Sequence, residues 1–215
     1  MAVSAKICGL KTPETVAAAV ENGADYVGFV FFETSPRYLT PAEAGVLGRA
    51  VPRRMRKVGL LVDDTDERID SILRACRLDI LQLHGKETPE RVTAVKAKFG
   101  IAVMKVIKVR SAGDIKRAAD YESVADMLLF DAAPPESLKN ALPGGNAVSF
   151  DWKLLQGFQS KLPWMLSGGL DAANLAKAVR LSGARAVDVS SGVEDGPGEK
   201  NPSKIKEFLD IARSL

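Results

Sequence analysis

The sequence predicts an α/β protein whose 215 residues close into one (β/α)8 barrel. Three observations carry that reading. Short β-rich runs alternate with helical patterns at a period of about twenty-five residues. Most of the β-rich runs are almost continuously apolar, as expected of parallel strands covered by helices. Eight such units fill the 215 residues, close to the ~200-residue lower limit of the TIM barrel. An open doubly wound sheet is the structural rival. No G-x-G-x-x-G follows the first strand, where Cys8-Gly9-Leu10 stands instead.

The elements follow in order. Strand 3–8 leads into a helix opened by Thr12, Pro13 and Glu14: N-cap, proline at the first helical position, acid in the first turn. Asn22-Gly23 stops that helix before strand 26–31. Thr40, Pro41 and Glu43 repeat the device, and the basic stretch Arg53-Arg54-Met55-Arg56-Lys57 is a solvated boundary before strand 57–62. Asp64-Thr65-Asp66-Glu67 starts the third helix, and Thr88-Pro89-Glu90 starts the fourth after strand 80–83. Strand 103–109, a helix from Ser111, and strand 127–131 come next. An irregular connection over 132–149 contains Pro143-Gly144-Gly145-Asn146, and so long a loop is usually functional or mobile. Strand 164–167 precedes a helix start at Asp171 to Asn174, and Ser182-Gly183 stops that helix before strand 186–190. Asn201-Pro202-Ser203 begins the last helix, with Ile205, Phe208, Leu209 and Ala212 on one face. The count is eight strands and about eight helices in strict alternation, one domain over 1–215 without an interdomain linker.

Composition narrows the function classes. Thirty Lys plus Arg against 27 Asp plus Glu leave a net charge of +3, which gives no reason to expect a nucleic-acid or membrane-surface partner. The apolar run 101–107 is interrupted by Lys105 and is far short of the ~18 residues of a membrane span. The first charge comes too early for a signal peptide, and two cysteines suit a reducing compartment, so a cytoplasmic location is expected. A single histidine and no cysteine cluster exclude a His-rich or Cys-rich zinc site, and no metal is expected.

In a barrel the active site lies at the C-terminal ends of the strands. Those ends here are Cys8, Ser35-Pro36-Arg37, Asp63, Gln82 and His84, Lys108, Asp131, Ser167-Gly168-Gly169, and Asp188 with Ser190-Ser191-Gly192. Gly168-Gly169 and Ser190-Ser191-Gly192 follow strands seven and eight, the usual phosphate position of this fold, where glycines let backbone N–H groups approach an anion. Arg37 is either a bidentate clamp for a carboxylate or phosphate or a surface arginine on a proline-fixed loop. Cys8 is either packing or a reactive thiol given room by Gly9, with Lys6 on the same strand face to favour the thiolate. Asp131 closes an apolar run, where a desolvated carboxyl can stay neutral and act as a general acid. His84 either orients substrate or is satisfied structurally. The residues alone lead to a cofactor-free phosphosugar enzyme with one acid and one base.

Six segments in order, Lys6-Ile-Cys-Gly9, Gly28 to Phe32 running into Ser35-Pro-Arg-Tyr38, Gln82-Leu-His-Gly85, Phe150-Asp-Trp152, Ser167-Gly-Gly-Leu170 and Asp188 to Val193, resemble the phosphoribosylanthranilate isomerase family. Gly196-Pro-Gly198, Lys200 and Pro202 to Ile205 extend the likeness to the last helix. One segment departs: Gly144-Gly-Asn-Ala147 stands where many members read Gly-Gly-Thr-Gly. The resemblance implies a cofactor-free aldose–ketose isomerase of tryptophan biosynthesis. It would convert N-(5-phosphoribosyl)anthranilate into 1-(2-carboxyphenylamino)-1-deoxyribulose 5-phosphate by Amadori rearrangement. It makes Asp131 the general acid, Cys8 the general base and Arg37 the holder of the anthranilate carboxylate. Gly168, Gly169, Ser190, Ser191 and Gly192 hold the phosphate, and Lys6, Gln82, His84 and Asp188 are further pocket candidates. Thiolate and protonated carboxyl are needed together, which implies an activity optimum with loss on both sides. The partner is a small phosphosugar, and the chain is expected as a monomer or homodimer. The alternatives are a pentose-phosphate epimerase, whose histidine-containing metal site one histidine argues against, and a barrel that binds a phosphorylated ligand without turnover.

Overall fold

The computed structural model describes residues 2–134, 144–145 and 148–215. Eight parallel strands close in chain order into a barrel: β1 (Ser4–Cys8), β2 (Tyr26–Val30), β3 (Arg56–Leu61), β4 (Ile80–Leu83), β5 (Ala102–Val109), β6 (Met127–Ala132), β7 (Trp164–Leu166) and β8 (Ala186–Val189). β8 pairs back onto β1 with Lys6 opposite Asp188.

The side-chain period of two divides each strand between two apolar regions. Leu128 and Phe130 of β6 face the large outer core beneath the helices, whereas Met127 and Leu129 join Met104, Val106, Met165 and Ala186 inside the barrel. Both faces are covered, which is why the strands read as unbroken apolar runs. Asp131 continues the inward set of Met127 and Leu129 one step further, at the C-terminal mouth.

Seven α-helices occur among the described residues: α1 (Pro13–Glu21), α2 (Pro41–Gly48), α3 (Asp66–Ala75), α4 (Pro89–Phe99), α5 (Ala112–Lys116), α6 (Leu175–Ser182) and α7 (Pro202–Ser214). Thr12, Thr40, Thr65 and Thr88 each accept a backbone N–H three residues on, and Asn201 caps α7. The expected strict alternation with about eight helices fails between β6 and β7. A 3-10 turn, Trp152–Leu155, packs there against α6 in the helical layer. No helix start was legible in that stretch, and residues 135–143 and 146–147 of the long connection lie outside the described ones. α6 also begins later than expected, because Asp171 and Asn174 bond each other's backbone N–H before the helix starts at Leu175.

After β8 a short 3-10 turn, Ser191–Val193, leads into an antiparallel pair, β9 (Glu194–Gly196) and β10 (Glu199–Lys200), which the sequence pattern did not indicate. No helix among the described residues is long and apolar enough to cross a membrane.

Candidate active site

The strand ends converge on a cavity of about 490 Å3 at the C-terminal mouth, whose lining includes Cys8, Arg37, Gln82, His84, Asp131 and Asp188. A second recess of about 360 Å3 shares Asp131, Gly145, Ser167, Asp188 and Ser190 with it and adds Gly168, Gly169 and Ser191. The two are therefore one continuous depression. A larger recess at the opposite end of the barrel, lined by Tyr26, Phe158, Trp164 and Arg185 among others, has no carboxylate, thiol or imidazole in its wall. Size alone would pick the wrong end.

Cys8 sits at the last position of β1, buried, with Gly28 as its cross-strand partner. A Cβ on Gly28 would lie 3.0 Å from Cys8 Sγ. Room for the sulfur thus comes from Gly28 and not, as expected, from Gly9. Gly9 instead adopts φ +80°, and a Cβ there would lie 2.7 Å from Arg37 Cδ. Lys6, completely buried, donates to Asp188 Oδ1 at 2.9 Å. Burial works against the Lys6 ammonium, but Asp188 and then Cys8 outweigh it and hold its pKa above the ordinary value. Burial pushes the Cys8 thiol up; Lys6 and Lys200 pull it down, Asp188 adds to the rise, and burial prevails. Lys6 therefore favours the thiolate as expected without carrying it below the ordinary thiol value.

Arg37 is 4% exposed, which removes the surface-arginine reading. Its Nε and Nη2 grip Glu194 at 2.8 and 2.7 Å, and Nη2 also donates to the Gly145 carbonyl at 3.3 Å. Lys200 bonds the same Glu194 and the Ser190 carbonyl. Burial would raise the Glu194 carboxyl, yet Arg37 and Lys200 together keep it below its usual range. Lys200 moves the other way: burial lowers it more than Glu194 can restore, and the charge of the neighbouring Arg37 lowers it further. Glu194 was absent from the sequence-derived set. Lys200 lies only six residues on, but Arg37, which brings Glu194 to the cavity, lies 157 residues away.

Asp131 Oδ2 lies 3.2 Å from His84 Nε2, and His84 Nδ1 lies 2.9 Å from Gln82 Nε2. The three residues form one buried line, so His84 is engaged with Asp131 and not isolated. Asp188 serves as the counter-ion of Lys6 and also accepts from Ser167 Oγ at 3.3 Å. Asp63 and Lys108, the other polar strand ends, are not in the cavity wall. Asp63 is instead a loop brace at φ +51°, accepting from the Lys86 N–H.

Of the glycines, Gly168 and Gly169 line the second recess at φ +91° and +65°. Gly192 lies behind it, where a Cβ would lie 1.9 Å from the Leu170 carbonyl oxygen. The backbones of the loops after β7 and β8 come into close contact there. Of the departing segment, Gly144 and Gly145 reach the cavity, and Asn146 and Ala147 lie outside the described residues. No group of three His, Cys, Asp or Glu side chains among the described residues is arranged to hold a metal ion.

Fold and site together define a (β/α)8-barrel enzyme whose ionisable groups gather at the C-terminal mouth. A profile of the N-(5'phosphoribosyl)anthranilate (PRA) isomerase family matches residues 5–211, and the chain belongs to that family. It is 55% identical over 215 residues to the N-(5'-phosphoribosyl)anthranilate isomerase of Rhodospirillum centenum, covering 100% of both chains. The enzyme of that name from Parvibaculum lavamentivorans is 54% identical over 213 residues, 99% of each. Among solved structures, phosphoribosyl anthranilate isomerase from Thermotoga maritima superposes with a TM-score of 0.87 at 35% identity, covering 99% of this chain and 100% of that one. A phosphoribosyl anthranilate isomerase in complex with reduced 1-(o-carboxyphenylamino)-1-deoxyribulose 5-phosphate superposes with a TM-score of 0.84 at 34% identity, covering the same shares.

Proposed function

We propose that the 215-residue chain is one catalytic domain that isomerises N-(5-phosphoribosyl)anthranilate to 1-(2-carboxyphenylamino)-1-deoxyribulose 5-phosphate, a step of tryptophan biosynthesis in the cytoplasm. The observation that carries this reading is that Cys8, Asp131 and Arg37 line one cavity.

Asp131 gives its proton to the ribose ring oxygen as the C1–O bond breaks, while the anilino nitrogen's lone pair forms a protonated imine at C1. That positive charge acidifies the neighbouring C2 proton, which passes to the Cys8 thiolate, leaving an enolamine. Tautomerisation adds a proton at C1 and removes the one on the C2 hydroxyl, giving the ketone. The proton taken by Cys8 offsets the one given by Asp131, so the atoms balance and no electrons leave the substrate. Lys6, beside Cys8 on the same strand face, favours the thiolate that takes up this proton. Arg37 holds the anthranilate carboxylate through the Nη1 edge that Glu194 leaves open. Gly168, Gly169, Ser190 and Ser191 hold the phosphate, fixing the far end so that both proton transfers occur in register.

The test follows loss of fluorescence of the anthranilate-linked substrate. Cys8→Ala and Asp131→Asn should each lose ~10²–10⁴-fold in kcat, the usual contribution of one general acid or base. Inorganic phosphate should inhibit competitively. No turnover by the wild type would overturn the reaction, and near-normal kcat in either variant would overturn that residue's role. Light scattering decides between monomer and homodimer.

A further inference from the structure

The acid–base scheme makes no use of Gln82 and His84, although both are buried beside Asp131. An amide NH2 only donates, so Gln82 Nε2 at 2.9 Å makes His84 Nδ1 an acceptor. The single proton of the neutral ring then sits on Nε2 and is donated to Asp131 Oδ2 at 3.2 Å. The ring's backbone is gripped from both sides. Lys105 Nζ donates to the carbonyls of Leu83 and Gly85 at 3.2 and 3.0 Å, and is itself tied to Glu87 at 2.7 Å. Above the ring a Cβ on Gly144 would lie 2.7 Å from His84 Nε2, so loop backbone closes over the bond. Among the described residues Gln82 Oε1 has no hydrogen-bond partner, so the contact with Nδ1 is the amide's only one.

We propose that Gln82 and His84 are positioning residues that decide which oxygen of Asp131 carries the acidic proton. The proposal rests on Asp131 being the general acid. With Oδ2 occupied as an acceptor by Nε2–H, the proton sits on Oδ1, which makes no hydrogen bond to a described residue. On transfer the O–H bond breaks, its electron pair stays on the carboxylate, and Nε2–H steadies the new charge without giving up its own proton. The ring must stay neutral for this. An imidazolium would hold Asp131 as the anion and remove the acid, and the Gln82 N–H aimed at Nδ1 opposes that second ring proton. Turning the amide over would present Oε1 and admit it, and Gln82→Glu makes that turned-over state permanent. The other charges facing the pair are Lys108 and Lys105 from β5 and Glu87 behind it, with Cys8, Arg37 and Asp188 across the cavity.

His84 is the chain's only histidine, so 15N-histidine NMR reads this one ring in the free protein. At pH 7 the wild type should show a protonated Nε2 and a bare Nδ1, and Gln82→Glu should show both nitrogens protonated. In that variant kcat should fall about tenfold or more at pH 8, its alkaline limb should move to lower pH, and KM should stay within about threefold. Gln82→Met should mix the tautomers and lose less activity than the isosteric Glu variant, the reverse of what a purely structural role demands. A wild-type ring protonated on Nδ1 overturns the proposal without any variant needing to fold. So does an unmoved alkaline limb in Gln82→Glu. Full activity in Asp131→Asn would overturn the general-acid reading instead.

Discussion

Replacing Lys6 by Met separates what its ion pair does for stability from what it does for Cys8. Asp188 is 5% exposed, and once Lys6 is gone its only other hydrogen-bond partner among the described residues is Ser167 Oγ at 3.3 Å. Leaving one partner of a buried pair uncompensated costs about 3–5 kcal/mol. At about 2–4 °C per kcal/mol for a chain of this size, Tm should drop by roughly 6–20 °C. Lys6→Met/Asp188→Asn removes both charges and should regain most of that loss. The Lys6 pKa is raised in the fold, so the pair's stabilisation is complete below the unfolded value of ~10.4 and is lost only as pH rises through the folded one. Measurements between pH 6 and 9 are therefore free of Lys6 titration. Over the same range Lys6 is the group that most opposes the burial-driven rise of the Cys8 thiol, and Asp188 adds to the rise. In Lys6→Met the acid limb of kcat/KM, followed by anthranilate fluorescence, should move to higher pH, and in the double variant it should move part of the way back. A limb moving to lower pH in the single variant would refute the assigned electrostatics. A double variant no more stable than the single would refute the uncompensated-charge argument.

Arg37→Lys should raise KM roughly 10- to 150-fold with a smaller change in kcat, because lysine cannot grip Glu194 bidentately and face the cavity at once, a loss of about 1.5–3 kcal/mol. Glu87→Gln should cost about 3–5 kcal/mol near neutral pH by leaving the buried Lys105 unpaired. Burial would raise the Glu87 carboxyl, but Lys105 holds it below the usual range, so denaturation curves of variant and wild type should converge as pH falls below ~4.3. Cys76, pushed up to about 11 by burial, should resist thiol reagents at pH 8 in the native protein and react once the protein is unfolded, as read by mass spectrometry.

What was legible in the sequence is what the chain encodes locally. The strands begin and end within one residue of the apolar runs because both of their faces are covered. Thr12, Thr40 and Thr88 announce helices because a cap and its N–H donor are three residues apart. The turn at Trp152–Leu155 was illegible for the same reason: a 3-10 turn has too few residues to show a helical period. Cys8, Arg37 and Asp131 could be picked as strand ends, and Lys6, His84 and Asp188 as candidates near them, but the pairings Lys6–Asp188 and Arg37–Glu194 could not. Lys6–Asp188 spans 182 residues and Arg37–Glu194 spans 157. One signal did exist. Lys105 interrupts an apolar strand, and a charge buried there requires a partner, which Glu87 supplies.

These long-range pairs also decide where charge is left over at the mouth. Lys6 and Asp188 cancel one for one, as do Lys105 and Glu87 behind β4. Arg37 and Lys200 are different, because they share the single carboxylate of Glu194. The lowered Lys200 is the physical sign of that deficit: its burial is not fully compensated, and the guanidinium beside it repels it further. While the Cys8 thiol is protonated, one positive charge is thus unmatched at the Arg37 side of the cavity before any ligand arrives. A substrate carboxylate bound there supplies the missing counter-charge, so it should push Lys200 back up and away from the neutral form. Binding and the protonation of Lys200 are then linked, and the linkage has a sign. Binding of a substrate-like anion at alkaline pH should take up a proton, and calorimetry in buffers of different ionisation enthalpy would read it. Proton release, or none, would show that Arg37 and Lys200 do not share their deficit with the ligand.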